Sequence, residues 1–137
     1  MQQRGFLNNN TVLSQVKLGI DFTKLAKLAH HSGKTYLSEY LIGYEKQIVK
    51  KIPFLLQTGK HQDALRIAVQ GGDPNNINKV FTEILKSQLN DVDAVITIVA
   101  DVQDGLRHLR NYAKKRGVAG QLLLSHIYKF QQSADKQ

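Results

Sequence analysis

Apolar residues recur along most of this chain with the spacing of an α-helix. Between Phe22 and Phe130 they fall three or four residues apart, which places them on one face of each successive helix. The stripes occupy residues 22–29, 36–44, 48–56, 64–68, 77–85, 92–99, 102–113 and 122–130. Strict alternation flanked by an Asn-Gly turn, a common signal of a β-hairpin, does not occur. The pattern predicts an all-α protein, with a strand as the alternative only in the β-branched segment 92–99.

Residues that begin and end helices flank these stripes. Asp73-Pro74 predicts a helix start, because Asp accepts hydrogen bonds from the first free amides and Pro lacks the amide that would have no partner. The other predicted starts are Asp21, Asn90 or Asp91, and Asp101, and the predicted ends are Gly33, Gly59, Gly71-Gly72 and Gly117. Pro53 either kinks its helix or begins a new one.

A short motif is repeated in the chain. Ser32-Gly33-Lys34 recurs as Thr58-Gly59-Lys60, 26 residues later, and each copy lies between two predicted helices. A repeat of this length is one helix pair, which is too thin to bury its own apolar face. We therefore predict an α-solenoid of stacked antiparallel helix pairs, with about seven or eight helices, over residues 21–132. Residues 1–20 are expected to form a polar lead, partly disordered or helical, and residues 133–137 a frayed tail.

The composition excludes several classes of protein. The chain has 137 residues and no Cys, which rules out a disulfide scaffold, a thiolate metal site and a cysteine nucleophile. No apolar run approaches the roughly 20 residues of a membrane-spanning helix, and a cytoplasmic location is expected. The 19 Lys and Arg outnumber the 11 Asp and Glu, so the net charge is +8. Such a charge favours nucleic acid, an anionic membrane surface or an acidic protein as a partner.

Candidate catalytic and metal-binding patterns are weak. Ser32-Gly33-Lys34-Thr35 resembles the end of a phosphate-binding P-loop, but Leu28 stands where that motif requires its first Gly, so a helix C-cap explains it better. The five His residues form no i, i+4 pair and no Glu-x-x-His motif, and His126 is expected in the core. Most acids lie at predicted helix starts. We therefore expect no enzymatic activity, no metal and no cofactor.

The most basic stretch of the chain is Arg107 to Arg116. Arg107, Arg110 and Lys114 are spaced i, i+3 and i+7, so one helical face presents three cations. That face suits a phosphate backbone or an acidic protein surface, and a solvated helix face with cations near its C-terminal end has the same pattern. A nucleic-acid-binding helical domain that uses this face is therefore the alternative function.

Three tyrosines form a stripe of their own. Tyr36, Tyr40 and Tyr44 are spaced i, i+4 and i+8, so they share one face of a helix. Packing between helices in the core is the expected role. A protein interface is the alternative, because tyrosine combines an apolar body with a polar tip.

Several short motifs in fixed order resemble a known family. They are Gly33-Lys34-Thr35-x-Leu37, Leu41-x-x-Tyr44-Glu45, Ile52-Pro53-x-Leu55-Leu56, Ala64-Leu65 and Ala68-x-x-Gly71-Gly72-Asp73. Together they resemble the C-terminal region of the vacuolar protein sorting-associated protein 16 family. The resemblance is good from Asp21 to Leu85 and looser from Leu106 to Phe130. The chain departs from the family at Lys46-Gln47, where Pro-Arg follows Tyr-Glu in the family, and at Pro74.

The resemblance implies a fold and a function. Members of this family have an N-terminal β-propeller and a C-terminal α-solenoid, so this chain would be a C-terminal fragment of a larger protein. They belong to the class C core of the HOPS and CORVET tethering complexes. Their C-terminal region docks the Sec/Munc-type subunit, vacuolar protein sorting-associated protein 33, for membrane fusion at the cytosolic face of late endosomes and the lysosome or vacuole. The implied function is thus a non-enzymatic adaptor in vesicle tethering.

Residues that contact such a partner are expected at the ends and outer faces of the first helix pairs. The predicted contacts are Lys34, Ser38, Tyr40, Lys50, Lys51 and Arg66, with Arg107, Arg110 and Lys114 as a second patch. Ser38 is included because a small exposed residue beside Leu37 would let a partner helix approach closely.

Overall fold

The computed structural model describes residues 20–89 and 91–135, and this part of the chain is helical without any strand. The helices are α1 (Phe22–His31), α2 (Thr35–Ile42), α3 (Ile48–Gln57), α4 (His61–Gly71), α5 (Pro74–Ser87), α6 (Val92–Ala100), α7 (Gly105–Lys114) and α8 (Gly117–Asp135). The prediction of an all-α fold with seven or eight helices is confirmed. The β-branched segment 92–99 is a helix.

The chain divides into two compact units. The first extends to Gln47 and contains α1 and α2, and the second begins at Ile48 and contains α3 to α8. In the second unit, each helix packs on its neighbours in sequence and on the helix after next. This order of packing is that of stacked helix pairs, so the second unit has the predicted solenoid-like arrangement. Whether residues 21–132 form a single domain stays a prediction.

Three of the predicted helix starts are capped by Asp side chains. Asp21 accepts a hydrogen bond from the Lys24 amide at 3.1 Å, and Asp91 accepts one from the Ala94 amide at 3.2 Å. Asp73 caps α5 in the same way, and Pro74 occupies the first helical position as predicted. Each cap satisfies an amide that has no partner inside its helix, which fixes where the helix begins. Asn90 lies outside the described residues.

The repeated Ser/Thr-Gly-Lys motif forms the same structure twice. In each copy the Gly adopts a left-handed conformation, with φ of +78° in the first and +80° in the second. The Lys amide donates to the carbonyl of Ala29 at 2.9 Å in the first copy and to that of Leu55 at 2.8 Å in the second. These bonds close a Schellman motif, which favours Gly because Gly has no Cβ to clash. The prediction of a helix C-cap here is confirmed.

One core runs through the second unit. Leu65, Phe81, Ile84, Ile96 and Leu109 are fully buried, and they come from the four helices α4 to α7. None of these helices is longer than 14 residues and each contributes one apolar stripe. Burial of each side chain of this size stabilises the fold by about 1.5–3 kcal/mol, so the stacking of neighbours supplies the stability that a single pair lacks.

The predicted helix start at Asp101 is wrong. Asp101 does not open a helix but ends α6, and α7 begins at Gly105 after a tight turn. The turn is closed by the Gly105 amide, which donates to the Val102 carbonyl at 2.8 Å. Asp104 precedes α7 with a φ of +65° and provides no side-chain cap. Pro53 lies inside α3, so of its two predicted alternatives the start of a new helix is excluded.

The structure describes most of the C-terminal end of the chain but begins only at residue 20. The predicted polar lead falls outside the described residues up to residue 19. At the other end, α8 continues through Asp135, so most of the segment predicted to fray is helical.

Helices α7 and α8 approach each other closely at Gly120. A Cβ atom on Gly120 would lie 1.8 Å from the carbonyl oxygen of Ala113, a separation that no real contact has. Gly120 is itself buried. The backbone of α8 therefore reaches this position only because residue 120 has no side chain.

The substitution Gly120→Ala is expected to destabilise the protein by about 1–3 kcal/mol, because the new methyl group forces the two helices apart. Urea unfolding followed by circular dichroism at 222 nm measures this change. The matched control is Ser125→Ala, an exposed position on the same helix, which should change stability by no more than about 0.5 kcal/mol. Equal stability of the two variants would contradict the close approach.

Candidate partner-binding surface

The tyrosine stripe lies on the outside of α2. Tyr36 is 89% exposed and Tyr40 is also exposed, so the prediction that the stripe lies in the core is wrong for both. The buried side of α2 carries Ser38 and Ile42, one helical turn apart, and it faces away from the tyrosines. Only Tyr44 is half-buried. The alternative for this stripe, a protein interface, is therefore the better interpretation for Tyr36 and Tyr40.

An aromatic cluster holds the tyrosine side chains in place. The Tyr44 ring lies 5.2 Å from that of Tyr40 and 5.6 Å from that of Phe22. The hydroxyl oxygens of Tyr40 and Tyr44 are 3.1 Å apart and share a hydrogen bond. This hydrogen bond raises the pKa of Tyr40. Tyr40 presents a neutral polar tip at physiological pH, because the ordinary pKa of tyrosine, about 10, already lies well above 7.

Ser38 is not on the surface. It is 2% exposed, and its hydroxyl donates to the Thr35 carbonyl at 2.9 Å. The prediction that Ser38 is exposed is wrong because the small face of α2, not its tyrosine face, points inward. Lys34, the N-cap residue of α2, is exposed as predicted.

The predicted contacts Lys50, Lys51 and Arg66 lie in the second unit, on α3 and α4. Lys50 and Arg66 are exposed, whereas Lys51 is half-buried. Arg66 forms an exposed ion pair with Asp63, with 2.8 Å between the Arg66 Nη1 and Asp63 Oδ1 atoms. A pair of this kind contributes about 0–1 kcal/mol in water, so it leaves Arg66 able to exchange Asp63 for another carboxylate.

Helix α7 has one apolar and one cationic face. Leu109 and Tyr112 belong to the buried face, and Arg107, Arg110 and Lys114 project from the other, as their spacing predicts. Two of these cations interact within the chain. The Arg107 Nη2 atom lies 3.5 Å from the Asp104 carboxylate, and Arg110 donates to the Gln131 side-chain carbonyl at 2.9 Å. The nucleic-acid alternative for this face stays a prediction.

Most carboxylates of the described chain have structural roles. Besides the three Asp caps, Glu83 pairs with Lys86 at 3.7 Å, and Asp101 accepts a hydrogen bond from Gln62 at 3.3 Å. Glu45 accepts one from the Thr23 hydroxyl at 2.6 Å. A general acid or base needs a carboxylate that is free to reach a substrate. These carboxylates instead cap helices, pair with a cation on the same helix or accept hydrogen bonds from another segment.

Within the described residues, the histidines form no metal site and no helix is suited to span a membrane. His126 is half-buried and its Nδ1 atom lies 3.0 Å from the Leu122 carbonyl, so the prediction that it belongs to the core is met only in part. Within residues 20–89 and 91–135, no three His, Asp or Glu side chains are grouped as a metal site would require. None of the helices in these ranges has both the length and the apolarity to cross a membrane.

An apolar groove lies between α5, α6, α7 and α8 of the second unit. Its volume is about 240 Å³, and it is lined by Leu85, Val92, Tyr112, Arg116, Ala119, Gly120, Leu122 and Leu123. The Arg116 guanidinium lies 4.1 Å above the centre of the Tyr112 ring, so a cation stands at the edge of the groove. The Tyr112 hydroxyl is hydrogen-bonded to that of Thr82 at 3.0 Å. We refer to this feature as the α8 groove.

Sequence reasoning missed the α8 groove. Helical spacing places the apolar residues of 122–130 on one stripe, but within that stripe the buried residues are Leu123 and Ile127. Leu122 is 57% exposed and Phe130 is also exposed, so these two lie outside the core. A signal was present in the composition of α8, whose residues 117–134 carry Lys129 as their sole charged side chain. A helix with so little charge is unusual on a fully solvated surface.

Comparison with known proteins identifies the family of this chain. The family model described as "Vps16, C-terminal region" matches residues 20–136, which is most of the chain. The chain belongs to the Vps16 C-terminal region family. The resemblance carried by the ordered Gly, Tyr-Glu and Pro-Leu motifs is thereby confirmed.

A curated relative gives the scale of the match. The chain is similar to the "Vacuolar protein sorting-associated protein 16 homolog" of Dictyostelium discoideum, with 24% identity over 116 residues. The alignment covers 72% of this chain and 14% of the relative. The chain therefore spans a small part of the length of this relative. No solved structure matches the chain significantly.

The buried position of Ser38 can be tested by a pair of substitutions. Ser38→Leu should destabilise the protein by about 1–3 kcal/mol, because a larger side chain does not fit the packed face of α2. Tyr36→Leu is the matched control on the same helix and should change stability by at most about 0.5 kcal/mol. Thermal unfolding followed by circular dichroism distinguishes the two. If Ser38→Leu left the stability unchanged, the buried position of Ser38 would be contradicted.

Proposed function

We propose that this chain is a non-enzymatic adaptor in vesicle tethering. It docks the Sec/Munc-type subunit, vacuolar protein sorting-associated protein 33, into the HOPS and CORVET complexes together with the other class C core subunits. The chain acts peripherally on the cytosolic face of late endosomes and of the lysosome or vacuole, during membrane fusion. It needs no cofactor or small-molecule substrate for this role.

Membership in the Vps16 C-terminal region family is the observation that carries this proposal. The family match extends over residues 20–136, and the Dictyostelium relative is named for vacuolar protein sorting. The ordered motifs of the chain span the same region, from Gly33 to Asp73 and beyond. Family membership supports the general role, and the identity of the docked subunit rests on the family's function as an adaptor.

The architecture of the second unit suits an adaptor. Helices that pack on their sequence neighbours expose a continuous flank rather than a closed catalytic pocket. A stable protein interface covers about 800 Å² on each partner, an area that two or three helix pairs provide. Most carboxylates of the described chain cap helices, form ion pairs or accept hydrogen bonds between helices, which favours binding over acid–base catalysis.

The cations on α3 and α4 suit the steering of an acidic partner. Lys50 and Arg66 are exposed, and the half-buried Lys51 keeps its aliphatic stem against the protein. Charges at the rim of an interface mainly raise the association rate and make binding sensitive to salt, while buried apolar contacts slow dissociation. The proposed docking surface therefore needs both the cations and a nearby apolar contact.

Reversal of three charges tests this surface. The triple variant Lys50→Glu, Lys51→Glu and Arg66→Glu is expected to weaken co-purification with the Sec/Munc-type subunit, by about tenfold in affinity, because it repels an acidic partner. Co-expression followed by size-exclusion chromatography measures complex formation. Circular dichroism of the free chain should show unchanged helicity.

A matched control variant separates a specific effect from a general effect of net charge. Lys24→Glu, Lys79→Glu and Lys86→Glu change the net charge by the same amount, and Lys86 carries an i, i+3 ion pair like that of Arg66. This control should form the complex as the unmodified chain does. Equal losses in both triple variants would refute the surface on α3 and α4. A failure of the unmodified chain to form the complex would refute the proposed function itself.

A further inference from the structure

The α8 groove is built to receive an apolar side chain. Its walls are the side chains of Leu85, Val92, Leu122 and Leu123 and the ring of Tyr112. A cavity of about 150 Å³ is enough to hold a benzene molecule, so the volume of about 240 Å³ accommodates a Leu or Phe side chain with part of a second one.

Exposed apolar residues continue the groove outward. On α8, Val118 is 88% exposed and lies one helical turn before Leu122, so the two form a ridge beside the groove. In the connection between α5 and α6, Leu89 is 87% exposed and has a left-handed backbone with φ of 54°. A large apolar residue rarely adopts this backbone conformation. The Leu89 side chain is thus a third apolar side chain exposed to water, after those of Val118 and Leu122. Exposed apolar clusters of this kind mark sites of protein association.

The edge of the groove is cationic at the junction of α7 and α8. Lys114, Lys115 and Arg116 are consecutive and exposed, and none of them forms an ion pair with a carboxylate among the described residues. At the start of α6, Val92 is instead flanked by Asp91 and Asp93. The acidic groups of an occupant are therefore expected at the α7–α8 end of the groove.

The positive charge at the edge of the α8 groove also argues against a second copy of this chain as the bound partner. In a symmetric dimer the same patch faces itself, which would bring two clusters of three cations together. The net charge of +8 opposes such self-association further. A concave site is also a poor match for a flat bilayer, and a phosphate backbone would use the cations at the edge of the groove but leave its apolar walls without a partner.

We infer that the α8 groove binds an acidic amphipathic helix of a partner protein, inserting an apolar anchor between Leu85, Tyr112 and Leu122. A helix suits the groove because the Val118–Leu122 ridge matches the spacing of side chains on a second helix. Carboxylates of the partner helix pair with Lys114, Lys115 and Arg116. The inference deepens the proposed function by naming the chemistry of one contact, and it rests on that function only in assuming a protein partner.

The test uses a labelled peptide of about 18 residues, five helical turns, with Leu at positions i, i+3, i+4 and i+7 and Glu on both flanks. Fluorescence anisotropy should show binding that is at least about tenfold tighter than that of the same peptide with Lys in place of Glu. Chemical shift changes in a ¹H–¹⁵N spectrum should centre on the amides of residues 85, 92, 116 and 119–123.

Two variants of the chain locate the site, each with a matched control. Leu122→Gln should weaken peptide binding by about tenfold or more, as loss of a central apolar contact does, whereas Val49→Gln should leave it unchanged. Val49 is an exposed apolar residue on α3. The double variant Lys114→Glu and Lys115→Glu should also weaken binding, whereas Lys24→Glu and Lys79→Glu should not.

Four results would overturn the inference. They are no binding of the acidic peptide, equal binding of the acidic and basic peptides, unchanged binding by the Leu122→Gln chain, and a dimer in light scattering that Leu122→Gln dissociates. The last result would assign the groove to a second copy of the chain. If the peptide fails while the Sec/Munc-type subunit still co-purifies, this inference alone is lost. If the subunit fails to co-purify while the peptide binds, the proposed function alone is lost.

Discussion

The structure depends on the burial of one apolar stripe from each of several short helices. No helix from α1 to α7 exceeds 14 residues, and an isolated helix of this length is marginal in water. In the second unit, fully buried residues such as Leu65, Phe81 and Ile96 come from different helices and meet in one core. Each helix is thus stable only because its neighbours cover its stripe. Close approaches such as that of Gly120 to Ala113 make this cover possible.

The burial of one apolar stripe per helix also explains why other helix faces are available for binding. Because the core takes a single stripe from each helix, the opposite faces are free to carry other chemistry. Helix α7 places Arg107, Arg110 and Lys114 there, and α2 places Tyr36 and Tyr40 there. Helix α8 is different, since Leu122 extends its apolar surface beyond the core stripe and into the groove. The proposed adaptor function would use such faces without disturbing the core.

Short sequence motifs predicted much of the fold because the interactions behind them join residues only a few positions apart. The Asp caps at Asp21, Asp73 and Asp91 depend on hydrogen bonds within one helical turn. The two Ser/Thr-Gly-Lys motifs depend on the left-handed freedom of Gly. The cationic face of α7 follows from helical spacing alone. Asp101 was misassigned because Asp101 and Asp104 offer equal capping chemistry, and only the packing of the buried Gly105 against the end of α6 selects between them.

The sequence by itself determined the helical class, most helix boundaries, the charge of the surface and the family motifs. Tertiary structure alone decided which apolar side chains are buried. Helical periodicity cannot choose between Leu122 and Leu123, or between the tyrosine face of α2 and the face of Ser38, because both members of each pair lie on plausible stripes. The choice depends on which neighbouring helix covers which face, and that is a contact between residues distant in the sequence.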